Sequence, residues 1–320
     1  MPSADKVVVT CALTGVLATR EQCPWVPYTP VEIAEEAKRA YEAGASVVHI
    51  HARTATGGPT YAPDVYQEIL EETRRRSPVI LNFSTGGVGP MRERVDHIRL
   101  VKPEIGALNM GSMNYAKYSP KRKAFVFDIV FANPFHEIVL LLEAMKEGGV
   151  KPELECFDTG HIANAAPLVD LGLLRAPLQL SLVVGVLGGI PATAENVAHL
   201  ARQAPAGSVW QVIGIGRDQW KMVASALVLG GNVRVGLEDN FYLDAFGRRM
   251  ARSNGELVEK AVELARAIGR EPATVEEARQ ALGLPAAAPR LATGERPDEE
   301  AAAGLPAASG SPPAAPVQAP

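Results

Sequence analysis

The 320-residue sequence predicts an α/β fold, namely a single-domain (β/α)8 barrel, also called a TIM barrel. Two observations carry this prediction. Short apolar runs alternate eight times with segments of helical periodicity, and this alternation continues to about residue 284. A doubly wound parallel sheet would look similar over any three units. The number of units and the total length both favour the barrel.

The eight predicted strands each precede a segment with helical periodicity. They lie at residues 6–13, 46–51, 79–84, 105–109, 153–157, 178–184, 208–213 and 232–237. The helix after the first strand has well-marked ends, because Thr29 is a typical N-cap, Pro30 suits the first turn and Gly44 suits the end. We therefore predict a helix over residues 30–43.

The last part of the chain differs in composition from the rest. Residues 285–320 are dominated by Ala, Pro, Gly and Ser and contain almost no large apolar side chain. Such a segment cannot bury enough apolar surface to fold. We predict a barrel catalytic domain over residues 1–284 and a low-complexity, disordered tail over residues 285–320.

Charge and cysteine usage limit the partners and the compartment. The net charge of −4 argues against nucleic acid or an anionic membrane as a bulk partner. No apolar run approaches the roughly 18 residues of a membrane span, and no signal sequence is evident. Cys11, Cys23 and Cys156 are an odd number of cysteines without metal-type spacing. Together these features predict a cytoplasmic protein that acts on small molecules.

Strand alternation places several polar side chains on the inner face of the barrel. Residues i and i+2 of a strand share a face, so His49 and His51 point inward together, as do Arg234 and Glu238 on the last strand. The other strands also carry polar residues toward their ends, namely Thr10, Thr14, Asn82, Ser84, Asn109, Glu153 and Glu155. Barrel enzymes build their sites at this C-terminal end.

His49, His51 and Glu238 form the three-ligand set of a catalytic zinc site, with two nitrogens, one oxygen and an open position. Two buried, satisfied core histidines, with Glu238 paired to Arg234, are the plain alternative. Ferrous iron would also accept two histidines and one carboxylate, but no other feature indicates oxygen chemistry. The sequence therefore favours zinc.

Eight sequence blocks resemble the β-keto acid cleavage enzymes between about residue 7 and residue 284. They are Leu13-Thr14-Gly15, VVHIHAR ending at Arg53, LNFSTGG ending at Gly87, ALNMGSMN ending at Asn114, KPELECFD ending at Asp158, VLGGIPAT ending at Thr193, GIGR ending at Arg217 and VRVGLEDN ending at Asn240. The resemblance implies a zinc-dependent barrel, usually a homotetramer. Its members exchange a β-keto acid with acetyl-CoA, as co-substrate, to give acetoacetate and a new acyl-CoA.

The resemblance also implies residue roles. The family's zinc ligands fall on His49, His51 and Glu238, its Arg–Asp pair on Arg234 and Asp239, and its active-site serine on Ser84. Asp239, steered by Arg234, is then the base that removes a C2 proton, and Ser84 donates a hydrogen bond to a reacting oxygen. The alternatives are a helix N-cap for Asp239 and a plain turn residue for Ser84.

Coenzyme A carries phosphates, and glycine-rich turns are the candidates to bind them. These are residues 185–189 and residues 214–216, where Gly214 and Gly216 precede Arg217. A basic cluster after the fourth strand, formed by Lys117, Lys121, Arg122 and Lys123, either contacts the coenzyme or is simply a solvated loop. Glu155 is interpreted as a support for the site or as the partner of a buried cation.

One departure from the family's pattern bears on the substrate. Leu17 stands where members that act on an amino-bearing substrate have a glutamate that holds the amino group. Ala107 replaces a common hydroxyl residue, and Thr54 replaces the aspartate that often follows Arg53. We therefore expect a neutral, apolar or anionic β-keto acid.

Two functions of other classes stay open. A metal-dependent hydrolase on a TIM barrel would need further His and Asp ligands on later strands, and neither His161 nor His199 lies at a predicted strand end. A barrel that binds metal or ligand without catalysis would carry metal and show no thioester exchange.

Overall fold

The structure, a computed structural model, describes residues 5–87 and 91–286. Its strands are β1 (Lys6–Val7), β2 (Val9–Ala12), β3 (Val47–Ile50), β4 (Ile80–Ser84), β5 (Ile105–Asn109), β6 (Met113–Ser119), β7 (Ala124–Phe131), β8 (Lys151–Cys156), β9 (Gln179–Val184), β10 (Val209–Gly214), β11 (Asn232–Val235) and β12 (Glu271–Pro272). Apart from residues 285 and 286, the predicted disordered tail lies outside the described residues.

Eight of these strands close into a parallel barrel in the order β2-β3-β4-β5-β8-β9-β10-β11. Each pair of neighbouring strands in the barrel is parallel, and β11 pairs with β2 to complete the closure. These eight strands are the eight predicted from the sequence. The (β/α)8 fold is therefore confirmed.

Helices surround the barrel and follow its strands. They are α1 (Pro30–Glu42), α2 (Pro63–Arg76), α3 (Met91–Val101), α4 (Phe135–Gly148), α5 (Thr159–Ala163), α6 (Ala165–Asp170), α7 (Ala194–Gln203), α8 (Gln219–Val228), α9 (Asn254–Ala267) and α10 (Val275–Leu282). Helix α1 begins as predicted, with Thr29 and Glu32 forming a reciprocal capping box. None of the described helices is long and apolar enough to cross a bilayer.

The barrel interior contains a polar layer below its C-terminal mouth. The buried carboxylate of Glu153 accepts hydrogen bonds from Asn82, Ser181 and Gln211, the last at 3.0 Å. Gln211 also accepts a hydrogen bond from Thr10 at 2.8 Å. Burial raises the pKa of Glu153, while these donors and Arg234 oppose that rise. This hydrogen-bonded layer therefore supports the polar residues that lie nearer the C-terminal mouth and restricts their movement.

The segment after β5, for which a solvated loop was one of the two interpretations, is a β-hairpin. Strands β6 and β7 pair antiparallel from Met113↔Phe131 to Ser119↔Ala124. Aromatic side chains stabilise the pairing, since the Tyr115 ring lies 5.6 Å from the ring of Phe127 and 5.7 Å from that of Phe131. Alternating aromatic and β-branched residues at 124–131 are the signal that predicts this strand.

Candidate active site

The end of β3 carries two histidines into the mouth of the barrel. His49 stands beside Asn82 of β4 in register, and Asn82 donates a hydrogen bond to Glu153 in the barrel interior. Side chains in register share a face, so His49 also points inward. His51 follows two residues later and shares that face. The predicted inward placement of both imidazoles is confirmed.

Two glycines allow the acidic turn at 236–240 to reach the histidines. Gly236 has φ +146°, and a Cβ there would lie 2.1 Å from the carbonyl oxygen of Ala12. Gly15 has φ +61°, and its Cβ would lie 2.8 Å from Glu238 Cγ. The Gly15 amide donates to Glu238 Oε2 at 3.1 Å. Both positions therefore require glycine to hold the carboxylate of Glu238 in place.

His49, His51 and Glu238 form a compact group of metal-type ligands. One donor atom from each lies within 4.8 Å of the other two, and no other group of three or more such ligands occurs in the described part of the chain. Glu238 Oε1 lies 3.6 Å from His49 Nε2 and 3.4 Å from His51 Nε2. Two nitrogens and one oxygen converge on one point, as predicted.

The protonation states of this group suit a divalent cation. Burial and the nearby Arg234 lower the pKa of His49 well below its usual value, so its imidazole is neutral at pH 7. Burial would raise the pKa of Glu238, but Arg234 and the two imidazoles hold it well below its usual range. Both ring nitrogens of His49 are buried and have no hydrogen-bond partner among the described residues. The residues present therefore fit a metal ion.

Arg234 is the centre of the buried charges. Its Nε and Nη2 each donate to one carboxylate oxygen of Asp239 at 2.9 Å. Nη1 donates to Glu155 at 3.1 Å, and Nη2 also donates to Glu238 at 2.5 Å. One guanidinium thus serves three carboxylates in a buried site. Of the two interpretations of Glu155, the structure shows the contact of a partner of a buried cation.

Asp239 is held by Arg234 and does not begin a helix. No helix starts between β11 and Asn254, where α9 begins, so the N-cap alternative is wrong. Burial raises the pKa of Asp239 to about 6, with Arg234 opposing the rise and Glu238 adding to it. A carboxylate with such a pKa is ionised at pH 7 and still accepts a proton readily.

Buried polar contacts hold the loop after β2 against the site. The hydroxyl of Thr14 donates to the His51 carbonyl at 2.7 Å and accepts from the His51 amide at 3.0 Å. Arg53 is buried and donates to the carbonyls of Gly15 and Ala18, the latter at 2.8 Å. Leu17 lies between these anchors and is 57% exposed. The loop that carries the Leu17 side chain is thus held in place on both sides of that residue.

Ser84 lies at the end of β4, and its known contacts are those of a turn residue. Its Oγ accepts a hydrogen bond from the Gly86 amide at 3.1 Å, and its carbonyl is bonded to the His97 ring at 3.0 Å. Within the described residues, no hydrogen bond joins the Ser84 hydroxyl to Arg234 or to the ligand group. The hydroxyl proton stays available for a ligand, so the role predicted for Ser84 stays a prediction.

Several amides of the glycine-rich turns already donate hydrogen bonds to backbone carbonyls of the protein. The Gly216 amide donates to the carbonyl of Asp239 at 2.8 Å, and Gly214 closes against α8, where a Cβ would lie 2.8 Å from Gln219 Cα. In the turn 185–189, the first and last amides donate to backbone carbonyls. Arg217 is the charged group left at the 214–217 turn, where its Nη1 lies 3.5 Å from the Phe246 carbonyl oxygen.

Neither the basic cluster nor the other histidines weighed from the sequence join the ligand group. The basic cluster lies exposed at the far end of the hairpin. His161 lies on α5, where its ring accepts a hydrogen bond from the Phe157 amide at 3.3 Å, and His199 lies on α7. The described residues thus bring no further histidine to the ligand group, as the metal-dependent hydrolase would require.

An apolar wall completes the mouth of the barrel on the side of β8–β10. We define this wall by Phe157, Val183, Val186 and Ile213, which are buried together. Tyr115 of the hairpin packs against the wall. The sequence interpretation missed Tyr115. Its spacing of two residues from Met113 on β6 could have indicated that both side chains lie on one face of a strand.

Comparison with known proteins gives a consistent result. The family model described as beta-keto acid cleavage enzyme matches residues 6–284. The chain is 41% identical over 283 residues to the 3-keto-5-aminohexanoate cleavage enzyme of Fusobacterium nucleatum, covering 88% of this chain and 98% of the relative. It is 35% identical over 308 residues to the 3,5-dioxohexanoate:acetyl-CoA acetone transferase of Paraburkholderia graminis, covering 90% and 99%. The solved apo structure of ObcA shares the fold, with a TM-score of 0.69, 23% identity, and coverage of 82% of this chain and 66% of that one.

Proposed function

The chain belongs to the β-keto acid cleavage enzyme family, and from this premise we propose that it is a zinc-dependent acyltransferase that cleaves a carbon–carbon bond. Its substrates would be a β-keto acid and acetyl-CoA, and its products acetoacetate and a new acyl-CoA. One observation carries the proposal: Asp239, held by Arg234, lies beside the ligand group His49, His51 and Glu238 at the mouth of one barrel.

The chemistry needs a base and a stabiliser of negative charge. A divalent cation held by His49, His51 and Glu238 would stabilise charge on the keto acid oxygens when bound. Asp239 accepts the C2 proton, and Arg234 fixes the orientation of that carboxylate. The buried surroundings exclude water, which would otherwise hydrolyse the thioester.

The proposed acyl exchange proceeds in two stages, and each bond that breaks is matched by a bond that forms. The C2 carbanion attacks the acetyl carbonyl carbon, a carbon–carbon bond forms, and the carbon–sulfur bond breaks so that coenzyme A leaves as thiolate. The thiolate then attacks the original ketone, and the bond between that carbon and C2 breaks. The electron pair stays on C2, which is protonated to give acetoacetate, while the old acyl group leaves on coenzyme A. The proton that Asp239 took is the one returned.

The substrate side chain is proposed to be neutral, apolar or anionic. Leu17, on the loop fixed by Arg53, offers no carboxylate to an ammonium group. The apolar wall across the mouth supports the same preference. For the phosphates of coenzyme A, we propose the turn of Gly214 and Gly216 with Arg217 as the charged contact, although the Gly216 amide is already used by Asp239.

We further propose a homo-oligomer, specifically a tetramer, in the cytoplasm. The hairpin exposes three large apolar side chains, Phe125, Val126 and Val130, each more than half exposed. A two-stranded hairpin that exposes such side chains is only marginally stable in water, so a second copy is a suitable cover. The three free, buried cysteines support a reducing compartment.

A substrate panel tests the proposed function. Zinc-loaded protein is incubated with neutral, anionic and amino-bearing β-keto acids, with and without acetyl-CoA, and acetoacetate and acyl-CoA are quantified by mass spectrometry. We expect both products to form in equal amounts, only with acetyl-CoA, and least with the amino-bearing acid. Turnover that is equally fast without any thioester would instead support the hydrolase.

A further inference from the structure

The hairpin places one tyrosine over the mouth of the barrel. Met113 and Tyr115, two residues apart on β6, both pack against the apolar wall. The Ala116 amide donates to the Leu187 carbonyl at 3.3 Å and ties this strand to the loop after β9. Phe131 of the partner strand adds an aromatic contact to Phe157 of the wall, with ring centroids 6.4 Å apart. The inner face of the hairpin is therefore fixed to the barrel.

The apolar wall lies at the level of the buried charges. Gln211 points into the barrel, because its side chain donates to Glu153 at 3.0 Å. Ile213 follows two residues later and so points inward above it. Ile213 pairs in register with Arg234. A side chain seated on this wall thus faces the guanidinium and the carboxylates that surround it.

The hydroxyl of Tyr115 is a donor without a partner in the described residues. Burial and then the carboxylates of Glu238, Asp239 and Glu155 raise the pKa of Tyr115 to about 12, so the hydroxyl is protonated at pH 7. Within residues 5–87 and 91–286 it makes no hydrogen bond. A protonated hydroxyl on a side chain seated beside a group of buried charges is suited to an oxygen that gains negative charge.

The position of Tyr115 relative to the base indicates which oxygen it meets. Asp239 and the ligand group come from the ends of β3 and β11, whereas Tyr115 approaches over β9 and β10. The acetyl thioester that C2 attacks must approach on a side that Asp239 and the ligand group leave open, and Tyr115 lies on such a side. We propose that the Tyr115 hydroxyl donates a hydrogen bond to the carbonyl oxygen of the thioester, as a further catalytic residue. This inference rests on the proposed function.

The hydrogen bond matters at one step of the exchange. When C2 attacks the acetyl carbonyl, the carbon–oxygen π pair moves onto oxygen, which becomes an alkoxide. The Tyr115 hydroxyl stabilises this charge without transferring its proton. When the carbonyl re-forms, the carbon–sulfur pair leaves with coenzyme A thiolate. Removal of the C2 proton precedes this step and does not involve Tyr115.

The test separates proton removal from thioester attack. Tyr115→Phe and Tyr118→Phe are compared, because Tyr118 lies on the same strand but is 45% exposed. Exchange of the C2 hydrogens with deuterium, without acetyl-CoA, is followed by NMR. The exchange rate measured with Asp239→Asn is subtracted as the background that does not depend on the base. Acyl transfer is measured with acetyl-CoA. We expect Tyr115→Phe to lower kcat of transfer by about 10²–10³-fold, with the exchange rate unchanged. Tyr118→Phe should leave both rates unchanged.

The remaining outcomes overturn the inference. Equal losses of exchange and transfer in Tyr115→Phe would place the hydroxyl at proton removal, and normal transfer would remove it from the reaction. Retained exchange also shows that the variant is folded. Wild-type protein with neither exchange nor transfer would overturn the proposed function itself, and this inference with it.

Discussion

Replacing Arg234 by methionine should be strongly destabilising, because one buried guanidinium donates hydrogen bonds to three acidic side chains. Its nitrogens lie 2.9 Å from both oxygens of Asp239, 3.1 Å from Glu155 and 2.5 Å from Glu238. Removing one partner of a buried ion pair costs about 3–5 kcal/mol. Since three acids lose their partner here, we expect the free energy of unfolding to fall by at least about 3 kcal/mol. At about 2–4 °C per kcal/mol, the melting temperature falls by about 6 °C or more.

The measurement is urea and thermal unfolding of chelator-treated protein at pH 7, so that metal binding does not contribute. Arg266→Met is the matched control, because Arg266 pairs with Glu271 at 3.0 Å while both side chains are more than half exposed. That exposed pair should be worth less than about 1 kcal/mol. If Arg234→Met costs no more than Arg266→Met, the interpretation of Arg234 as the centre of the buried charges is refuted.

Three further predictions concern the ligands, the base and a buried histidine. His49→Ala should lose both bound zinc, measured by elemental analysis, and turnover; full zinc occupancy would contradict the ligand set. Asp239→Asn should keep zinc and lower kcat by about 10²–10⁴-fold, whereas normal turnover would exclude it as the base. Burial lowers the pKa of His97 to about 4, so the unfolded chain, with a histidine pKa near 6.5, takes up this proton first as pH falls. The stability that neutral His97 contributes is therefore present above about pH 6.5 and falls by about 2 kcal/mol by pH 5; urea unfolding of His97→Leu should show a correspondingly flatter pH dependence, and equal slopes would contradict this.

The sequence predicted the barrel and the ligand group well, because both depend on local regularities. Strand alternation alone placed His49 and His51 on the inner face, and the parallel order of strands brought Glu238 to the same end. The helix at 30–43 followed from its caps, and the structure ends it at Glu42.

What the sequence did not predict depends on contacts between distant segments. The hairpin was interpreted as a loop because its basic turn masked the aromatic alternation on both strands. Tyr115 gains its position only when the hairpin folds back over the barrel. The use of the Gly216 amide by Asp239 is likewise a contact between loops, which a glycine-rich turn does not reveal.

The hairpin at 113–131 is a contiguous segment with its own internal backbone pairing. The ligand group and its charged support come instead from strand ends and turns of the barrel itself. Apart from Tyr115, these two parts of the site can therefore accumulate substitutions independently during evolution. A relative that exchanged this segment would inherit the ligand group and its charged support, but it would have to keep a tyrosine at position 115 to keep the proposed thioester step, and an engineer who grafts the segment meets the same condition.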